Sequence, residues 1–511
     1  MLHKNVLEIL GAEGLKKSGR DFSNSRVLKA FSQSSDPRLG PQPYDLSPGA
    51  AELYPLLTPL RNTIARRTGF SGAVTNWKTW RAVNNGRGRA VVGEGQRAAV
   101  GTQTLEDRFA PYRTLGAEDN VTFEAENAGG TQFDLKARAA LQALQNLMLA
   151  EEVCILGGNT SLPLGVTPTP TLTTATTGGS IAAGTYSVVA VALGFAAYWD
   201  LAGLNNGATG QSFVATTSLG LQGLISRTNA DGSTLSVPGG HAQPSASATQ
   251  ATTGATSVIN AAVSLVRGAY GYAWYVGAAG SERLAAVSSI NSVALTSIPA
   301  TGQLLSAIPG GVSADRSASP LEYDGILTTT LSSNSGAVVQ SMATGTPGVG
   351  VGLTSDGGGG IVEFNAMLAQ IYDLYRHSPT AIYVSARDLQ NVTRRILNGV
   401  SSPVITLTAN VNETTGRLEV VGGNRAAFYL NAPANSSVPI VVHPNMPAGT
   451  VLFDTDKYNG TEVRDIAVRD DYLAIDWPIT TRRNDYGVYV DAALRISAPW
   501  ACGVINNIAN L

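Results

Sequence analysis

Asp465, Asp470, Asp471 and Asp476 are the residues whose type and spacing come nearest to a reaction centre. A carboxylate pair can divide general acid from general base, and clustered carboxylate oxygens can hold calcium. The stretch lacks the Gly and Glu spacing of an EF-hand, and Arg464 and Arg469 are interleaved with it. It therefore reads as strand faces closed by salt bridges. The four histidines, His3, His241, His377 and His443, stand singly, at no metal-site distance from one another or from a cysteine. His443, before Pro444, reads as a strand-end residue, and His377 closes a helix, where a cation is favoured. The chain has no HExxH, CxxC or GxSxG. The glycine loops GTPGVGVG and DGGGG before Ile361 resemble a phosphate cradle only in their glycines. They lack the Gly-Lys-Ser/Thr of one nucleotide site and the strand, GxGxxG, helix and acid of another. No catalytic residue, metal ligand or cofactor site is expected.

Composition narrows the class. The chain has 511 residues, 43% of them hydrophobic, a net charge of −2 and only 14% charged residues. That describes a globular protein of two to four domains, with no general electrostatic reason to seek nucleic acid or an anionic membrane. Cys154 and Cys502 are too few for a disulfide framework, which fits a reducing compartment. The start, MLHKNVLEILGAEGLKK, carries charges throughout and is not a signal peptide, and no run approaches 18 apolar residues, so no membrane span is expected. Charge is concentrated in one place. Arg61, Arg66, Arg67, Lys78, Arg81, Arg87, Arg89, Arg97, Arg108 and Arg113 face only Glu94, Glu106 and Asp107 between residues 61 and 113. Arginine dominates, which suits bidentate contacts with protein carboxylates.

The elements that must position these groups centre on Thr131–Leu156, TQFDLKARAALQALQNLMLAEEVCIL. Ala137, Leu141, Leu144 and Met148 repeat at helical spacing and no Pro or Gly interrupts them, which predicts one long helix. Thr131 is the expected cap, with Asp134 three residues on, and Gly157 and Gly158 suit a left-handed end. Residues 1 to about 65 hold two short helical candidates around a Pro-rich passage and read as an arm. AVTNWKTWRAV and RAVVGEGQRAAV, separated by NNGRGR, read as a hairpin whose edges need a partner. Val121, Phe123 and Ala125 alternate towards the helix.

From Pro163 to Ser319 only eight charges occur and lysine is absent. Strand candidates at 171–174, 186–192, 273–276, 284–287 and 292–295, with Tyr270, Tyr272, Trp274 and Tyr275, predict a β-sandwich inserted into a host. Beyond it, Ile361, Phe364, Leu368, Ile371 and Tyr375 mark a helix, AIYV a buried strand, and Ser385 with Asp388 the cap of a second helix over 386–397. The remainder reads as strands that must close a sheet with residues from before the insert. The whole is α+β.

In this order the parts resemble the tailed-bacteriophage major capsid proteins of the Hong Kong 97-type fold. The resemblance is carried by Leu105–Gly116, Leu141–Gly158, Tyr383–Leu397 and Tyr472–Ser497, and it covers roughly residues 1–160 and 320–511. It implies an N-terminal arm (1–68), an E-loop hairpin with lead-in strands (69–130) and the spine helix of a peripheral domain (131–163). An all-β immunoglobulin-like insertion (164–318), an axial domain (319–435) and returning strands of both domains (436–511) complete the division. It also implies a non-catalytic shell subunit without cofactor or metal, assembled in the bacterial cytoplasm into the virion head around double-stranded DNA. Its partners would be copies of itself in hexamers and pentamers, a separate scaffolding protein, a portal and decoration proteins, with DNA touched non-specifically and no membrane. Arg81, Arg87, Arg89, Arg97, Arg108, Glu151 and Glu152 are the expected intersubunit contacts. Some relatives crosslink Lys to Asn, but beside Lys78 no catalytic carboxylate can be placed, so no crosslink is expected. Two other classes fit less of the chain: a tail-spike or surface adhesin built on β-sandwich modules, and a hydrolase using Asp476 and its neighbours. If the insert is an outward ornament, the host forms shells without residues 164–318.

Overall fold

Strand Arg483–Ile496 is the hub of the body because its period-two pattern places Val488, Val490, Ala492, Leu494 and Ile496 on one buried face. It pairs antiparallel with Arg464–Asp476 on one side and Arg113–Thr122 on the other, and Ala65–Arg67 adds a parallel edge. This four-stranded basal sheet joins segments from both sides of the insertion. The computed structural model describes residues 57–83, 91–98, 100, 103–129, 134–204, 212–214, 220–398, 409–411, 418–420, 426–458 and 460–510. The expected arm (most of 1–68), the turn at Asn84–Gly88 and most of the strands read in VITLTANV and GRLEVV lie outside those residues.

The long helix runs Leu135–Gly157 across the basal sheet, with Asp134 as its cap, accepting from the Ala137 amide at 3.0 Å. Its buried face is Ala139, Ala143, Leu147 and Glu151, whereas Ala137 and Leu141 are exposed. The expected stripe is thus displaced around the helix: with apolar residues on every side, spacing alone does not select the face. The helix is apolar and long enough to cross a membrane, but it is packed on the sheet and ends in buried ion pairs, the setting of a core helix. Its end is not left-handed, since Gly158 has φ −54° and ψ 141°. Glycine is needed there for space. A Cβ on Gly157 would lie 2.2 Å from the Phe195 ring, and one on Gly158 2.3 Å from the Tyr323 carbonyl oxygen. Gly157→Ala is therefore expected to destabilise the subunit by about 1–3 kcal/mol, the usual cost of overpacking, measured by denaturant unfolding.

Two local expectations fail in the approach to this helix. The return strand of the hairpin is Gln103–Pro111, paired with Val74–Val83, and residues 91–98 form no strand. Arg113–Thr122 ends before Phe123, which opens a short helix, Phe123–Gly129. In both places a long-range ladder, not local alternation, decides where the strand lies.

A second sheet has the order Val338–Ser341, Gly503–Asn506, Val451–Asp454, Ala381–Val384, Ser436–Val442, Phe428–Asn431. Helix Val362–Tyr375 buries Phe364, Met367, Leu368 and Ile371 in its core, with Phe364 edge-on to Phe453 and Tyr429 at 5.2 and 5.3 Å. Helix Ala386–Asn398 starts with the Ser385–Asp388 reciprocal cap: Ser385 Oγ accepts the Asp388 amide at 3.1 Å and donates to its carboxylate at 2.6 Å.

The inserted segment forms antiparallel sheets of five and three strands sharing a core around Trp274, Val276, Ile259 and Leu295, and a separate two-stranded sheet, Leu224–Thr228 with Thr234–Pro238. It is not all β: FAAYWDLAGL forms a helix, Phe195–Leu204, whose Phe195 stacks edge-on with Tyr270 at 5.9 Å. Nor is its sheet free on the outer side. Val189, Val191, Leu193, Tyr275 and Val287 belong to the same core as Ile155, Leu156, Tyr383 and Leu452 of the body. The chain leaves and returns side by side, with the Leu164 amide on Ser317 Oγ at 2.8 Å and the Ser319 amide on the Asn159 carbonyl at 2.7 Å.

Candidate interaction site: the helix-end charge cluster and the hairpin

Glu151 and Glu152 lie near the C-terminus of the long helix, where the dipole disfavours negative charge, and both are fully buried. They persist because each is saturated by donors from distant segments. Glu152 accepts the Leu60 and Arg61 amides at 2.9 and 2.7 Å, capping the short helix Pro59–Thr63, and also faces His443 Nε2 at 2.7 Å. His443 Nδ1 accepts the Asn445 amide at 3.2 Å, which leaves Nε2 as the ring donor pointing at Glu152. Glu151 accepts Arg61 Nε at 3.0 Å, Arg66 at 2.6 Å and the Tyr472 hydroxyl. Arg66 also holds Asp471 at 2.6 Å, and the two guanidinium carbons lie 5.0 and 4.8 Å from the Tyr472 ring centroid. Burial, and then the Glu151 charge, hold the Tyr472 phenol well above its ordinary range.

Three of the residues expected at subunit contacts are bonded within the chain. The partners of Glu151 and Glu152 are in their own chain, because two buried carboxylates need donors that are always present. Arg108 is likewise engaged at home, on the Asn334 carbonyl at 3.0 Å and on Glu106, tying the hairpin base to the body. Arg97 is exposed. Arg81 lies in the first hairpin strand, its side chain outside the described residues, as are Arg87 and Arg89 altogether. By sequence Arg61 and Arg66 belong to a basic cluster and His443 to a strand end, and no spacing joins them or Tyr472 to the two glutamates. The available signal was the adjacent acid pair in an otherwise apolar helical turn, which must find cations if buried.

The other candidate chemistry is absorbed by structure. Asp465 pairs with Arg495 and Arg67, and Asp471 with Arg66, while Arg469 binds Asp491 and Arg464 binds Asp454. The DGGGG loop wraps its own acid: Asp356 accepts the Gly358 and Gly360 amides at 2.8 and 2.7 Å and Asn365 at 3.1 Å, and those amides lower its pKa. His377 is not the expected helix-end cation. Burial lowers its pKa, and the ring bonds Thr455 Oγ1 at 3.1 Å. Burial raises the thiols of Cys154 and Cys502, the latter to about 12, so neither is poised as a nucleophile. Among the described residues no three His, Cys, Asp or Glu side chains gather at metal-binding distance.

The hairpin has a different character. Val74–Val83 and Gln103–Pro111 form a two-stranded ribbon, and among the described residues no third strand pairs with either edge. Its inner face meets the body at the base, where Trp77 Nε1 donates to the Ile496 carbonyl at 3.2 Å. The outer face leaves Leu105 48% and Phe109 73% exposed, and Val100 beyond it is 90% exposed.

Fold and site define an α+β chain made of a helix-backed sheet, a second mixed sheet, a β-rich insertion and a two-stranded ribbon. No family model matches the sequence, and no curated protein matches it. Among solved structures the chain is similar to the capsid of a native GTA particle, with 10% identity over 91% of this chain and 97% of that one at a TM-score of 0.38. It is similar to the capsid of cyanophage A-1(L), with 11% identity over 90% and 95% at 0.38, and to the capsid of Myoviridae phage XM1, with 10% over 88% and 92% at 0.35. All three are named as capsids.

Proposed function

We propose that this chain is the major capsid protein of a tailed bacteriophage, a non-catalytic subunit that assembles with copies of itself into the icosahedral head. The observation that carries this reading is the ribbon. A two-stranded hairpin is marginal in water without further cover, and edges that pair with no third strand among the described residues, with exposed Leu105 and Phe109, are a liability in a lone monomer. Neighbouring copies in hexamers and pentamers cover such a surface, and stability then comes from wide interfaces. The same reading gives it a scaffolding protein, a portal and decoration proteins as partners, packaged DNA on its inner side, and a place in the virion after assembly in the host cytoplasm. Ion pairing of Asp465 and Asp471 leaves a hydrolase only the exposed strand residues Asp470 and Asp476 of that carboxylate group, which favours the shell reading.

Electron microscopy and light scattering of the full-length protein test it. Closed shells or capsomers are expected, and a stable monomer at high concentration would overturn it. Reversing Arg81, Arg87, Arg89 and Arg97 to Glu is expected to lower shell yield at least about tenfold if each lost contact costs about 1 kcal/mol or more. The unfolding free energy of the dissociated subunit should move by less than about 0.5 kcal/mol per site. Normal shells from that variant would remove these arginines from the interface.

A further inference from the structure

Tyr472 has a φ of 49°, in the left-handed region that a tyrosine seldom occupies. It sits where the ladder between Arg464–Asp476 and Arg483–Ile496 shifts register, Asp470 opposing Asp491 and Leu473 opposing Tyr489. Such a conformation lasts only where the surroundings impose it. Here the imposing groups are the Glu151 carboxylate on the hydroxyl and the Arg61 and Arg66 guanidinia over the ring. Both arginines come from residues 57–67, which Glu152 fastens to the long helix through the Leu60 and Arg61 amides.

We propose that Arg61, Arg66, Glu151 and Tyr472 form a conformational latch coupling the seating of residues 57–67 to the register of the basal hairpin, Arg464–Asp476 with Arg483–Ile496. Engaged, the latch holds the strand bulged at Tyr472. Released, Tyr472 loses what keeps it left-handed, and the outer end of the hairpin, with exposed Leu473, Trp477 and Ile479, is freed from its register. Arg66 is shared between Glu151 and Asp471, so losing either arginine leaves two carboxylates, one of them fully buried, with a single cation between them, and the two guanidinia engage and disengage as a unit. That supplies two discrete arrangements rather than a gradual slackening. The latch depends on contacts within one subunit and stands apart from the shell reading.

Hydrogen–deuterium exchange on the dissociated full-length subunit tests it. In R61Q/R66Q, amides of residues 57–67 and of 470–491 are expected to exchange at least tenfold faster together, while helix Val362–Tyr375 keeps its wild-type rates. Because that variant strands a buried carboxylate, R61Q/R66Q/E151Q, which removes all three charges together, is run beside it. Coupling is reciprocal, so Tyr472→Phe, which deletes only the hydroxyl, is expected to speed exchange at 57–67, across the interface from the substitution. Faster exchange at 57–67 alone in either folded arginine variant, or wild-type rates there in Tyr472→Phe, overturns the latch and leaves an ordinary ion-pair cluster.

Discussion

Joining Pro163 to Ser319 and deleting residues 164–318 is expected to abolish assembly and drive the chain into aggregates. An outward ornament would be dispensable. In this fold, however, the five-stranded sheet is covered on both faces: Trp274 and Val276 meet the three-stranded sheet, and Val189, Val191, Leu193, Tyr275 and Val287 join the core of the body. Phe195 lies against Gly157 at the end of the long helix, and Ala294 against Gly348. Polar contacts close the same seam, with Asn291 and Asn507 exchanging hydrogen bonds at 2.9 and 3.1 Å and Arg387 reaching Ser289 at 3.3 Å. At about 1.5–3 kcal/mol per large apolar side chain, uncovering the body beneath five of them removes roughly 10 kcal/mol. The net stability of a domain is about 5–15 kcal/mol. The soluble fraction after expression and electron microscopy read the result, and normal shells from the deleted chain would show that the body core closes alone.

Glu152→Ala is expected to cost the dissociated subunit at least about 3 kcal/mol, because it leaves three donors without an acceptor at about 1–3 kcal/mol each. The loss strands two backbone amides, at Leu60 and Arg61, and the His443 Nε2 proton, all of which converge on one carboxylate. Glu152→Gln, which keeps an acceptor oxygen at nearly the same volume, is expected to lose less than half of that. Denaturant titration reads both variants. Equal losses would mean that charge, not hydrogen-bond saturation, is what the site requires.

Local chemistry was legible where it acts over a few residues. The insert strands at 171–175, 184–193, 271–277, 283–288 and 292–295 lie where turn residues and apolar runs place them. The same holds for the Ser385–Asp388 cap and the Phe364, Leu368 and Ile371 stripe. The hairpin's return strand was missed because Gln103–Pro111 has its ladder partner beyond a long connection, and no local alternation distinguishes it from 89–100. The buried face of the long helix was missed for a related reason: alanine and leucine surround it.

By itself, then, the chain determines its α+β class, the presence of a long uninterrupted helix, and a low-charge β-rich insertion, because periodicity, caps and turn residues act between near neighbours. Tertiary structure alone decides that Glu151 and Glu152 face inward, that Arg61 meets a tyrosine 411 positions away and that His443 meets Glu152 across 291. A carboxylate's partner is chosen by which distant segments the closing sheet brings within 3 Å, and sequence spacing carries no record of that choice.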